Sequence, residues 1–246
     1  MSGKSNLKVL VLETDFYARQ AINSYLAWDR RTRVVHLADT LDSVREYVRA
    51  VDCSEWPDVV LLDAQAAATP DELARLVREI EETIPNVMTL VLDRKLNLDT
   101  LHACAQANVN GYLLRNELRI RIASAIVWAQ EHDFVVTQGV KNALKNESEG
   151  RLRRAVVVPE RREYPALTPR VRQALQLCVV EGMSAELAAD EMGISPHTVR
   201  SYVKEGYRIL ETYDDTVYPP DLSPQEKAFM RFTALVKDAQ SGTGDN

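Results

Sequence analysis

The sequence predicts an α/β chain in which a five-stranded, doubly wound parallel sheet is followed by a small all-α unit. Three observations carry this. Short apolar runs alternate five times with segments of helical periodicity between Lys8 and Glu131. Two of those runs end in carboxylates, Glu13 and Asp63, which then converge at the carboxyl edge where open α/β sheets build their sites. From Leu167 onward the pattern changes to helix, helix, tight turn, helix, with no strand between.

Lys8–Leu12 is an unbroken apolar run, the pattern of a strand buried on both faces. Phe16, Ala21, Ile22, Tyr25 and Leu26 then recur at helical spacing over 15–28. Arg33–Leu37 is the second strand and Leu41–Val51 the second helix; Trp56–Asp63 is the third strand and Pro70–Thr83 the third helix. Val87–Leu92, Leu98–Ala107, Asn110–Leu114 and Glu117–Glu131 complete the alternation. The expected division is a first domain over 1–133, a connector over 134–164, a helical domain over 165–240 and a disordered tail over 241–246. Within the connector, 139–146 forms a short helix, and Ala155–Pro159 is too apolar to be free and packs on a domain surface.

In the helical domain Gly193 supplies a sharp turn, Ser195 caps the helix that follows and Pro196 suits its first position. Leu187, Ala188, Val199 and Val203 fall where two crossing helices bury facing sides. Arg200 and Lys204 share one exposed face, which Arg208 continues. Gly206 inside this helix costs about 1 kcal/mol against alanine, so the helix frays or bends there. Ser223–Glu226 is a capping box ahead of Phe229, Met230, Phe232, Thr233 and Val236. That last helix serves either dimerisation or closure of the core.

Net charge is −6 over 246 residues, yet 1–133 carries −5 and 151–210 carries +3. The positive excess lies in the stretch that includes the helix-turn-helix pattern, and its arginines at 151–162 precede that pattern. No apolar run is long enough to cross a membrane and the N-terminus is no signal peptide, so a cytoplasmic protein is expected. Cys53, Cys104 and Cys178 have no metal-ligand spacing and are expected to be reduced, mostly buried thiols. The absence of GxGxxG and of a GKS/GKT loop argues against a nucleotide-dependent enzyme.

Leu167-Thr-Pro-Arg170, Glu181-Gly-Met-Ser184, Leu187-Ala-Ala189 and Gly193–Arg200 resemble the C-terminal effector domain of the LuxR/NarL transcription regulators. The run Gln176–Val180 is about one residue longer than that pattern, and the segment after the recognition helix differs. Lys8–Glu13, Pro57–Asp63, Ile84–Val87 and Asn110–Arg115 resemble the receiver domain of a two-component response regulator. The two halves stand in the family's order. The resemblance implies that Arg200, Ser201 and Lys204 read base edges, while Thr198, Tyr202 and Arg208 reach phosphates, with Tyr202 alternatively in the core. Ser195 and His197, at the start of the recognition helix, complete the candidate DNA face.

In the receiver half the resemblance makes Asp63 the phosphoacceptor position and Glu13 the first of two metal-binding acids. Thr14 stands where the second acid belongs, Asp93 where a hydroxyl belongs and Arg115 where a lysine belongs. Tyr112 matches the switch aromatic. Ala64–Ala68 replaces the usual Met-Pro. Asp93 and Arg115 are expected to pair in the space a phosphoryl group would use. Asp15 is an alternative second acid, and Glu13 and Asp63 are either a weak Mg²⁺ site or leftover acids paired with Arg115. No other cofactor is expected.

Arg151–Arg154 with Arg161–Arg162 makes the connector basic, either to touch DNA backbone or as a solvated linker. The expected protein is not an enzyme but a DNA-binding transcription regulator, acting as a homodimer on promoter DNA, with a receiver not switched by conventional aspartyl phosphorylation. The alternatives are an ordinary response regulator phosphorylated at Asp63, or an adaptor docking RNA polymerase or another regulator.

Overall fold

The computed structural model describes residues 6–146, 150–214, 216 and 218–236. The chain divides into two compact units, Met1–Val158 and Pro159–Asn246. The expected tail at 241–246 lies outside the described residues.

In the first unit β1 (Leu7–Leu12), β2 (Thr32–Ala38), β3 (Val59–Asp63), β4 (Met88–Asp93) and β5 (Gly111–Leu114) are parallel, in the order β2-β1-β3-β4-β5. They alternate with α1 (Phe16–Ala27), α2 (Leu41–Ala50), α3 (Pro70–Thr83) and α4 (Leu98–Gln106). The apolar runs are buried as read: Leu10, Val60, Leu62, Leu90 and Val91 are fully enclosed. Each such side chain contributes about 1.5–3 kcal/mol of transfer free energy. Side-chain oxygens of Asp15, Thr40, Thr69 and Asn97 cap the four helices and fix where each leaves the sheet edge.

Three expectations need correction here. The single fifth helix is broken: α5 (Arg115–Leu118) and α6 (Ile122–Ala129) are separated by a 3₁₀ turn entered at Arg119, whose φ is +49°. The sheet has seven strands rather than five, because β6 (Val135–Val136) and β7 (Val156–Val157) add in parallel beyond β5. The stretch 134–158 is therefore no connector but part of the first unit, with α7 (Gln138–Ala143) and α8 (Gly150–Arg153) between its strands. Such short strands are hard to read from pattern alone, since two residues show no periodicity. Gly111 makes the addition possible: a Cβ there would lie 2.8 Å from the Val135 carbonyl oxygen.

The second unit contains α9 (Pro169–Leu175), α10 (Ala185–Met192), α11 (Pro196–Thr212) and α12 (Pro224–Phe232). The extra residue in Gln176–Val180 is absorbed as a π turn, with the Glu181 N–H donating to the Gln176 carbonyl at 3.0 Å. Ala188, Ala189, Met192 and Val199 form the core between α10 and α11, but Leu187 is 61% exposed, contrary to its spacing. α11 runs unbroken through Gly206, so the expected fraying is absent. Gly206 is buried against Leu175, and a Cβ would fall 2.8 Å from that side chain. The glycine thus lets α9 and α11 cross closely. On α12, Phe229 and Phe232 are buried, so this helix closes the core of its unit. The C-terminal segment returns to pair with the unit's start: the Arg162 N–H donates to the Ala234 carbonyl and the Val236 N–H to that of Glu160.

Substituting Gly206→Ala is expected to destabilise the second unit by about 1–3 kcal/mol through overpacking against Leu175. Denaturant titration followed by circular dichroism checks this; a variant as stable as the parent would show that Leu175 can yield.

Candidate functional site

Strands β1 and β3 are neighbours, so Glu13 and Asp63 emerge side by side at the carboxyl edge, each about 1% exposed. Arg115, the first residue after β5, reaches across to both. One guanidinium nitrogen lies 2.5 Å from Glu13 Oε2 and 2.5 Å from Asp63 Oδ1. Thr14 Oγ1 donates to Asp63 Oδ2 at 2.9 Å, and the Gln65 N–H donates to Asp63 Oδ1 at 3.1 Å. The Asp15 N–H donates to Glu13 Oε1 at 2.9 Å. Burial pushes the Glu13 carboxyl above its ordinary value; the Asp15 N–H and Arg115 oppose this, and the neighbouring Asp63 adds to it.

The expected Asp93–Arg115 pair does not form, because Arg115 is committed to the other two acids. Asp93 instead accepts from the Tyr112 hydroxyl at 2.6 Å and from the Arg94 N–H at 2.6 Å. Tyr112 is fully buried, and its hydroxyl oxygen accepts from the Asn97 N–H at 3.1 Å. Burial and the Asp93 hydrogen bond drive the Tyr112 phenol far above its ordinary value, so it stays protonated and donating. Asp15 does not stand in as a second acid: it accepts from the Ala18 N–H at 2.9 Å to cap α1 and faces Arg94 at 3.5 Å. Cys104 is buried, its thiol pushed up to about 12, whereas Cys53 is exposed, against expectation.

This donor set does not fit Mg²⁺. A hard octahedral cation asks for several free oxygens, yet Thr14 offers no carboxylate and a guanidinium already bridges Glu13 and Asp63. Among the described residues no cluster of three or more His, Cys, Asp or Glu side chains has a metal-binding arrangement.

In the second unit the candidate DNA residues lie along α11. His197, Arg200, Ser201, Lys204 and Arg208 are exposed on it, whereas Val199 points into the core and Tyr202 packs against that core. Ser195 Oγ accepts from the Thr198 N–H at 3.1 Å and shares a 2.8 Å hydrogen bond with Thr198 Oγ1. These two residues hold the helix start. Arg208 pairs with Glu205 at 2.7 Å within α11, and Arg200 pairs with Glu186 of α10. Gly193, at φ +65°, sets the turn between the helices.

Much of the basic stretch flanking Pro159 is committed to structure rather than solvated. Arg151 binds Asp133 at 3.0 Å and lies over Phe134; Arg161 lies over Phe232. Arg162 and Arg231 converge on buried Asp214, at 3.4 and 3.3 Å, with Thr216 and Tyr218 donating to the same carboxylate. Burial alone would raise Asp214, but those hydrogen bonds and Arg162 outweigh it and hold the carboxyl below its ordinary value. Sequence reading missed this cluster because its members come from three separated segments, and only their charges hinted at pairing.

A parallel sheet with paired acids at its carboxyl edge, ahead of a helix-turn-helix unit, is the fold of a response regulator. It is the fold carried by the LuxR/NarL-type regulators that the motifs of both halves resemble. The chain matches the RcsB response regulator of Salmonella typhimurium at 18% identity and a TM-score of 0.50, covering 86% of this chain and 95% of that one. It also matches the response regulator ChrA of a heme-sensing two-component system, at 21% identity and a TM-score of 0.44, with 92% and 96% covered. The signal receiver domain of the response regulator NarL from Mycobacterium tuberculosis matches at 20% identity and a TM-score of 0.44, over 51% of this chain and 98% of that domain. The family profile of sigma-70 region 4 matches residues 165–210, under a fifth of the chain. No curated protein sequence matches significantly. Among the described residues no helix is long and apolar enough to cross a membrane.

Because burial favours neutral Glu13 in the folded state, its contribution to stability is full below the ordinary value near 4.5 and is lost as pH rises through the raised one. Asp214 has the opposite sign, losing its contribution as pH falls through its lowered value. Glu13→Gln is therefore expected to gain on the parent between mildly acidic and neutral pH, and Asp214→Asn to lose on it at neutral pH. Melting temperatures across pH 4–8 check both signs.

Proposed function

We propose that this protein is a DNA-binding transcription regulator whose receiver half is not switched by conventional aspartyl phosphorylation. The observation that carries the second part is Arg115 bridging Glu13 and Asp63. Attack of Asp63 on a phosphodonor needs a free carboxylate and a cation to offset charge on the phosphoryl oxygens. Here one Asp63 oxygen is held by Arg115 and the Gln65 N–H, and the other by Thr14. Asp93 would set a further negative charge near an incoming phosphoryl group. The cation is built in: its single charge offsets one carboxylate, while burial pushes Glu13 toward the neutral form.

DNA binding is supported by the exposed cations of α11, Arg200, Lys204 and Arg208, which stand on one helix of the second unit. RcsB, whose fold is shared, interacts with DNA. Arg200, Ser201 and Lys204 are the base readers in this reading, and His197 and Arg208 flank them. Ser195 and Thr198 act through the helix start they hold. A homodimer would place two such helices in successive major grooves, about 34 Å apart, in the cytoplasm.

The sigma-70 region 4 match favours a second reading, in which the helical unit docks RNA polymerase or another regulator. DNA binding by the protein alone, with a salt slope of several phosphates, separates the two.

Incubation with acetyl phosphate and Mg²⁺ is expected to leave the intact mass unchanged. A gain of one phosphoryl group that Asp63→Asn abolishes would establish the ordinary kinase-driven alternative instead. In a binding selection Arg200→Ala is expected to relax preference at one position by roughly tenfold or more, whereas Arg208→Ala weakens all sequences alike.

A further inference from the structure

We infer that Glu186 is a specificity-determining residue: it aims the Arg200 guanidinium from the neighbouring helix and so decides what that arginine reads. The inference rests on the reading of α11 as the base-contacting helix and adds a residue outside it. Glu186 sits in the first turn of α10, just after the Ser184 cap, and its carboxylate contacts a terminal guanidinium nitrogen of Arg200. Its own backbone N–H and Ser184 hold the Glu186 carboxyl below its ordinary value, with Arg200 acting the same way, so it is an anion at neutral pH. The helices that carry the two residues are locked together beneath them by Ala188, Ala189, Met192 and Val199. The backbone that carries Glu186 is thus fixed relative to that of Arg200, and the arginine is the longer arm of the pair.

Stability does not explain the pair. Both side chains are about 60% exposed, at 59% and 61%, and ion pairs so exposed add little to stability. What the contact does change is the arginine's freedom. An unrestrained arginine on a DNA-facing helix swings to whichever phosphate is nearest, and that contact carries no sequence information. Arg208 illustrates a different arrangement: its partner Glu205 is on its own helix, three residues back, and holds it along the helix surface. Glu186 holds Arg200 from another helix, so that the remaining N–H groups of the fork keep a defined direction. It also places a negative charge beside the arginine, which penalises a phosphate but not the O6/N7 edge of a guanine. The pair is therefore a filter: a single phosphate contact does not repay separation from Glu186, whereas a two-acceptor base edge does not require it.

The test is a randomised-duplex selection with the parent, Glu186→Gln and Glu186→Asp, read alongside binding to one arbitrary duplex. Glu186→Gln is expected to flatten preference at the position Arg200→Ala identifies by about tenfold, while binding to the arbitrary duplex tightens several-fold. Glu186→Asp, which keeps the charge but shortens the reach, is expected to restore the penalty on arbitrary DNA and only part of the preference. A merely structural role would lower the melting temperature and weaken every position equally. That outcome, or an unchanged preference in Glu186→Gln, would overturn the inference. Absence of any sequence preference in the parent would instead remove the DNA-reading role of α11, and this inference with it.

Discussion

Two carboxylates buried side by side cannot both remain charged without a counterion, and the organisation of the first unit follows from how that constraint is met. Strands β1 and β3 must be adjacent for the sheet to wind both ways, which forces Glu13 and Asp63 together. Arg115 resolves the conflict from the end of β5, two strands from β3 and three from β1. To reach them it must leave β5 at once, and the chain turns into the short α5 at that residue rather than running straight on. Removing Arg115 would leave the acids without their counterion, a loss of about 3–5 kcal/mol in comparable buried pairs. The arrangement is therefore a strut that ties the ends of three strands together.

Asp93 and Tyr112 form the second half of the same solution. With Arg115 spoken for, Asp93 finds its partners in backbone N–H groups and a phenol, all of them donors that need no charge. Tyr112 is thereby fastened inward, its ring filling the space between β5 and α4 and its hydroxyl joined to the start of α4 through Asn97. The acidic edge and the aromatic behind it are thus tied into two separate networks, one around Arg115 and one around Asp93.

The five central strands, their helices and the helix-turn-helix were legible because each has a period, a cap or a turn residue that local sequence displays. The pairing pattern of the site was not. Spacing placed Arg115 and Asp93 at the same edge but could not say which of three acids the single cation would choose. That choice depends on side-chain reach after the break at α5, which the continuous helical pattern of 117–131 concealed. Leu187 and Gly206 failed for a related reason. Helical spacing says which residues share a face, not how closely a second helix approaches, so an apolar residue was left outside and a glycine became a contact. Strands β6 and β7 are too short to announce themselves, and their place is set by the bare edge that Gly111 offers.

The π turn at Gln176–Val180 bears on how the helical unit can change length. An added residue in a packed helix ordinarily rotates everything beyond it by about 100°, exchanging buried and exposed faces. Here the irregularity is confined to one widened turn between α9 and α10. The carbonyl of Cys178, within that turn, accepts from the Gln225 side chain of α12 at 3.1 Å. The widened turn thereby serves as a point of attachment for the last helix, and the cost of its irregular geometry is offset where the two meet.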